Sequence, residues 1–246
     1  MNNLRNLKEE RSKIADIHKI TSSLQMVAST QSAQFIKRKK NHAPILEYAT
    51  KMIKFVANKL TYDLSNTLHI ILSCDQKFCK NFLVNLHLYL SELKFNAKEQ
   101  IMLFGNRSTK VVEELTSPDM IDQYKALTTF DDCESIAVYI KSIGYPVTYI
   151  HAYSEAAKAF QRTKLVPFDT ESAEPKDAQD PEAIVHLYLA SHIYSHVLQT
   201  GLKERIDRAT AMSEASENAQ TKARQLLSEY NKTRQAMITK EITSGS

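Results

Sequence analysis

The sequence predicts an α/β protein: a long antiparallel coiled coil of N- and C-terminal helices with an inserted Rossmann-like α/β domain of mostly parallel strands. Three observations carry that expectation. Apolar residues recur at helical spacing through residues 1–60, a heptad alternation runs through residues 182–246, and between them short apolar runs alternate with amphipathic stretches. The expected order is a first long helix over 1–60, an α/β domain over 61–168, a linker over 169–181 and a second long helix over 182–246.

Residues 3–41 contain neither Gly nor Pro, and Leu4, Leu7, Ile14, Ile17, Ile20, Leu24 and Val27 follow one another in steps of three, four or seven. That is a helical period. Pro44 permits a kink, after which Ile45, Ala49, Met52, Ile53, Val56 and Leu60 resume the spacing. At 1.5 Å per residue, about 57 residues of nearly continuous helix would reach ~85 Å.

The end of the chain mirrors its beginning. Asp180, Pro181 and Glu182 supply an N-cap, a proline at the first helical position and an acidic first turn. From there, steps of four and three pick out Ile184, Tyr188, Ser191, Ser195, Leu198, Leu202, Arg205, Ala209, Met212, Ser216, Ala219, Ala223, Leu226, Tyr230, Thr233 and Met237. Those are heptad seam positions, many of them small or polar, which suits close helix approach or contact with other chains.

The middle changes character. Residues 68–72 form a short apolar strand, 82–93 read as a helix, and 100–104 as a second strand before Gly105. A strand, a crossover helix and a strand imply parallel pairing. Residues 133–143 suggest another helix closed by Gly144, 147–151 another strand, and 164–168 one more. Residues 169–181, with Asp, Glu, Ser and two prolines, read as a solvated linker.

Composition removes several classes of function. The chain has 4 glycines, where average usage would supply roughly 17. They stand far apart, so neither a Walker A loop nor a dinucleotide fingerprint exists. The 32 basic and 28 acidic residues leave a net charge of +4, too small for the footprint of a dedicated nucleic-acid binder. No run approaches the ~18 apolar residues of a membrane span, and residues 1–20 are charged throughout, unlike a signal-peptide core. Three cysteines, Cys74, Cys79 and Cys133, argue for a reducing compartment and against a disulfide framework.

Candidate chemistry is sparse. His192 and His196 share a helix face at i, i+4, but His186 lies on another face and no HExxH partner exists, which favours helix-surface or seam residues over a metal site. Cys74 and Cys79 lack a second ligand pair of zinc-finger spacing and read as a buried thiol pair. Asp131, Asp132 and Glu134 stand where carboxylates complement a helix N-terminus. Lys37, Arg38, Lys39 and Lys40 offer a nucleic-acid patch or, equally, a basic face for an acidic protein partner. No nucleophile, base and oxyanion set can be assembled from spacing, so neither a catalytic, a cofactor-binding nor a metal site is expected.

At both ends the residues carry a resemblance. Lys19-Ile20-Thr21-Ser22-Ser23-Leu24-Gln25-Met26-Val27-Ala28 resembles the KIT-x-x-M-x-MVA stretch of the gamma subunit of F-type ATP synthases. Residues 204–212, ERIDRATAM, are similar to that family's E-x-x-x-R-x-x-AM pattern, and residues 230–242, YNKTRQAMITKEI, to YN-x-x-RQA-x-IT-x-EI. Residues 73–82 are a degenerate version of the family's SD-x-GLCGG-F segment, with Lys77, Lys80 and Asn81 in place of the glycines. A path requiring φ > 0 at those positions would be strained.

The resemblance implies a central rotor shaft that couples proton flow to ATP synthesis or hydrolysis. Its partners would be the alpha and beta subunits of the catalytic ring, an epsilon (or delta-like) subunit and the c-ring, with nucleotide and magnesium held by the ring and no cofactor in this chain. It further implies ring contacts by Lys19, Ile20, Thr21, Leu24 and Met26, by Arg208 and Met212 on the opposite helix, and by Arg234 and Gln235 near the top of the shaft. The setting implied is peripheral to an energy-coupling membrane. The lack of an Arg-rich presequence favours the cytoplasmic face of a bacterial inner membrane over the mitochondrial matrix side. A non-rotary assembly adaptor or divergent paralogue of the same shape is the alternative.

Overall fold

The computed structural model describes residues 2–57, 60–96, 99–168 and 180–244. The elements in order are α1 (Asn2–Ile53), β1 (Asp63–Leu72), α2 (Lys80–Ser91), β2 (Glu99–Phe104), α3 (Thr109–Leu115), β3 (Ile121–Tyr124), α4 (Phe130–Ser142), β4 (Pro146–Ser154), β5 (Ala159–Val166) and α5 (Pro181–Ser244). The chain divides into two compact units, Met1–Gln31 with Ile206–Ser246, and Ser32–Arg205. The linker expected at 169–181 lies outside the described residues up to 179.

In the second unit a five-stranded sheet runs in the order β3-β2-β1-β4-β5. Its first four strands are mutually parallel and β5 returns antiparallel to β4. The central strand β1 is buried on both faces, which is why residues 68–72 read as an apolar run and not as an alternation. Leu68, Ile70 and Leu72 point into one core with Ile53 of α1, Ile136 and Ile140 of α4, and Val185 and Leu189 of α5. Ile71 points the other way, to Phe82, Leu86 and Leu90 of α2 and Val112 of α3. Helices therefore cover both faces of the sheet.

In the same unit α1 and α5 run antiparallel. Phe35 packs on Leu198 and Leu202, while seven residues further along α1 the His42 Nε2–H donates to the Ser191 carbonyl at 2.9 Å. In the first unit, taken by itself, the two helices are also paired, with Ser22 Oγ 2.8 Å from Ser216 Oγ. Every seam position expected on α5 from Ile184 to Met237 is buried or half-buried.

Local chemistry explains the helix ends. The Ala183 amide donates to Asp180 Oδ1 at 3.0 Å, the N-cap expected before Pro181. Thr129 and Asp132 close a capping box at the start of α4. Burial raises the Asp132 pKa, but hydrogen bonds from Thr129 and Thr128 outweigh it and hold the carboxyl below its ordinary value. Gly144 ends the helix with φ of 82°, a conformation only glycine adopts without strain.

The structure departs from the expected elements in several places. The first helix stops at Ile53 instead of near residue 60. The Phe55 and Val56 amides then donate to Met52 and Ile53 at 3.1 Å, a tightened turn that swings Val56 and Ala57 under the sheet. Apolar spacing alone cannot distinguish that turn from more α-helix. β1 begins at Asp63 and β5 at Ala159, both through polar residues that periodicity does not mark. α3 and β3, of 7 and 4 residues, are too short to generate a readable period.

Candidate partner-binding face of the paired helices

In the first unit, Thr21 and Ala28 of α1 and Arg208, Met212, Ser216, Ala219 and Leu226 of α5 are buried. Most of these side chains are small or carry a polar atom, so the helices approach closely. The Thr21 hydroxyl donates to the carbonyls of Ile17 at 2.9 Å and His18 at 3.1 Å. Its polar atom is thereby satisfied within its own helix, which removes the cost of burying it.

The larger apolar side chains stand outside. Ile17, Ile20, Leu24 and Val27 are 47%, 59%, 36% and 52% exposed. At about 100° per residue they fall in one sector of α1 flanking the seam, whereas Lys19 and Met26 fall in a second sector about 130° away. Met26 is 71% exposed. The apolar period read over residues 14–27 is thus real, but it serves two surfaces. Ile14 faces the seam, half-buried, and the next four apolar residues face outward.

Of the residues singled out in the sequence, Lys19, Ile20, Leu24 and Met26 lie exposed, while Thr21, Arg208 and Met212 point inward. His18 and Ser22 meet Ser216, so this group shares one stretch of the pair. Arg234 and Gln235 are exposed and lie ~33 Å further along α5 from Met212. They form a separate location. Six of these nine residues thus present side chains to solvent, and Thr21, Arg208 and Met212 turn theirs inward.

Groups considered for chemistry are otherwise accounted for. His192 Nε2 lies 3.0 Å from Thr50 Oγ1, and its ring packs on Tyr188 with centroids 4.1 Å apart. Burial pushes His192 and His196 down to about 4, with the neighbouring His196 and His42 adding to the effect at His192. Neutral packing histidines result. Lys39 is paired with Glu155, and Arg38 lies over the Phe35 ring, so the basic run is partly absorbed by its own fold. Cys74 and Cys79 are buried with their sulfurs 3.2 Å apart. In their loop the left-handed residue is Phe78, with φ of 65°, and not Lys77, Lys80 or Asn81.

Sequence reasoning missed one buried polar chain. His69 Nδ1 is 2.8 Å from His151 Nε2, and His151 Nδ1 is 2.7 Å from the Tyr89 hydroxyl. Burial, with His69 and Arg162 nearby, pushes His151 down to about 3. A histidine inside the apolar run 68–72 was the available signal, but its partners come from other elements.

Two solved structures share this fold. The chain matches the rotor of the Euglena gracilis mitochondrial ATP synthase with a TM-score of 0.68 at 16% identity, covering 96% of this chain and 99% of that one. It matches a chain of the central stalk and c-ring structure of the Tetrahymena thermophila mitochondrial ATP synthase with a TM-score of 0.56 at 18% identity, covering 80% and 99%. What these likenesses show is the fold, a protein of two long paired helices and a five-stranded α/β sheet. The family described as ATP synthase matches residues 3–244. The chain is also 24% identical over 275 residues to the ATP synthase gamma chain of Mesoplasma florum, with 99% of this chain and 96% of that one covered. The gamma chain of Halothermothrix orenii is 23% identical over 280 residues, with the same coverage. This chain belongs to the ATP synthase gamma family. Among the described residues no helix is long and apolar enough to cross a membrane.

Proposed function

We propose that this chain is the central rotor shaft of an F-type ATP synthase, coupling proton flow through the membrane sector to ATP synthesis or hydrolysis in the alpha/beta ring. The ring performs the catalysis and holds nucleotide and magnesium, and this chain contributes mechanical coupling alone. Its other partners are an epsilon (or delta-like) subunit and the c-ring, at an energy-coupling membrane, on the cytoplasmic face in a bacterium.

The observation that carries this reading is the exposed stripe of Ile17, Ile20, Leu24 and Val27 beside a seam of small residues. A helix pair with these side chains in water is complete only against a partner. A second sector of α1 presents Lys19 and Met26, so a ring of three like sites meets a different surface at each. Reversing a two-state population from 1:99 to 99:1 takes about 5.5 kcal/mol of differential binding. Burying an Ile or Leu fully contributes about 1.5–3 kcal/mol. Two or three stripe residues buried against one conformer and not another supply that magnitude.

ATP-driven proton pumping by the reconstituted complex tests the reading. Ile20→Ser with Leu24→Ser, and separately Arg234→Ala with Gln235→Ala, are expected to lower protons pumped per ATP hydrolysed. Copurification at one copy per three alpha-beta pairs is expected as well. Unchanged pumping in both variants, or isolation of the chain without ring subunits, would overturn it.

A further inference from the structure

The loop between β1 and α2 carries Cys74 and Cys79, and both thiols converge on the carboxylate of Glu204 from α5. The donor atoms all lie within 4.8 Å of one another and all three side chains are buried. We propose that Cys74, Cys79 and Glu204 form a binding site for a divalent cation of the zinc class, which staples the β1–α2 loop to α5.

The donor set selects the ion. Two thiolates and one carboxylate suit a borderline-soft cation in tetrahedral coordination and disfavour magnesium or calcium, which demand oxygen ligands. Sulfurs each about 2.3 Å from one tetrahedral ion stand ~3.8 Å apart. Here they are 3.2 Å apart, so a small side-chain rotation opens the site. A cavity of about 100 Å³ lies on the Glu204 side, lined by Glu204, Ser73, Asp75 and Gln76 and not by the thiols, and a fourth ligand would enter from it. That is ample for one water, which needs about 10–15 Å³ on the same measure.

Charge also favours a cation. On binding, the two thiol protons leave to solvent, and two thiolates, one carboxylate and a divalent ion sum to a single negative charge. The Arg205 guanidinium stands ready to balance it, with Nη1 3.4 Å from Glu204 Oε2. Arg205 is itself held by the Gly201 carbonyl, to which Nη1 donates at 2.8 Å, and by the Phe35 ring, 3.9 Å from its guanidinium carbon. A simple redox pair would not need the third group. A carboxylate facing two thiols opposes the thiolate on which disulfide formation depends, whereas a cation reverses that effect.

Cobalt titration of the reduced, metal-stripped full chain is the test. One equivalent of Co²⁺ is expected to produce thiolate-to-cobalt charge-transfer absorption, which zinc displaces. Cys74→Ser and Cys79→Ser should each remove most of that absorption, Cys133→Ser should leave it intact, and Glu204→Gln should weaken affinity by about tenfold or more. Should a variant fail to fold, the wild-type chain still decides: zinc is expected to slow alkylation of Cys74 and Cys79 but not of Cys133. The proposal is overturned by absence of the charge-transfer absorption, by its persistence in both serine variants, or by alkylation that zinc leaves unchanged. A chain isolated as the Cys74–Cys79 disulfide that takes up no cobalt after reduction overturns it too.

Discussion

In the α/β body, β1 hides apolar side chains on both its faces, under α1, α4 and α5 on one side and α2 and α3 on the other. In the helix pair of the first unit, Thr21, Ser216 and Ala219 occupy the seam while Ile17, Ile20, Leu24 and Val27 remain in water. The sheet of the body packs between two apolar cores, whereas the seam of the pair mixes small and polar residues with Met212 and Leu226; each unit also leaves large apolar side chains in water, among them Phe78 and Leu88 in the body. An apolar helix face that stands in water can be covered by a partner, and covering it in one partner conformer and not another biases the two.

The contrast is broken most forcefully in the body. Phe82 is fully buried and packs edge-on to Phe160 with centroids 5.2 Å apart. Phe82→Ala is expected to cost about 3–5 kcal/mol, read by urea denaturation. Next in size is the response to acid of the buried histidines. His192 and His196 titrate at about 4 in the folded chain, below the ordinary 6.5, so the unfolded chain binds more protons between those values. The stabilisation is fully present above pH 6.5 and is lost as pH falls toward 4. Each histidine should account for on the order of 2–3 kcal/mol of that loss. Denaturation at pH 7 and pH 4.5 should show a smaller drop in a variant carrying His192→Gln and His196→Gln than in the wild type.

Smaller effects probe the helix pair. Leu226 is 1% exposed in a seam of small residues, and Leu226→Ala should cost about 2 kcal/mol, the low end for a buried leucine, because a narrow seam closes more easily over the gap. Smallest of all should be Ile20→Ser with Leu24→Ser, within about 0.5 kcal/mol of wild-type stability in the isolated chain. The same double change is expected to impair coupling in the assembled complex. A large loss of stability in the isolated chain would show that the stripe is internally covered and would erase the contrast.

Legibility followed length and regularity. Both long helices were readable because residues 3–41 and 182–200 lack Gly and Pro and sustain a period over many turns. The heptad phase of α5 even identified its inward residues. The β1-α2-β2 crossover was readable from a doubly buried apolar run followed by an amphipathic segment. α3 and β3 were not, and neither was the turn at residues 53–57, where apolar residues serve the sheet core outside any α-helix. At the candidate face, motif likeness could not separate Ile20 and Leu24, which face water, from Thr21, Arg208 and Met212, which face the seam.

Glycine scarcity and helical period, properties of the chain read residue by residue, settle which segments are long helices, since backbone propensity and spacing act locally. They also locate the departure from the family's glycine cluster at residues 77–81. Direction is a different matter. Which apolar stripe on α1 is covered depends on how closely α5 approaches, and the meeting of Cys74, Cys79 and Glu204 depends on a loop and a helix distant in sequence. Those relations arise from packing among nonlocal elements, and the tertiary structure decides them because the apolar period of α1 fits either of two faces until α5 is in place.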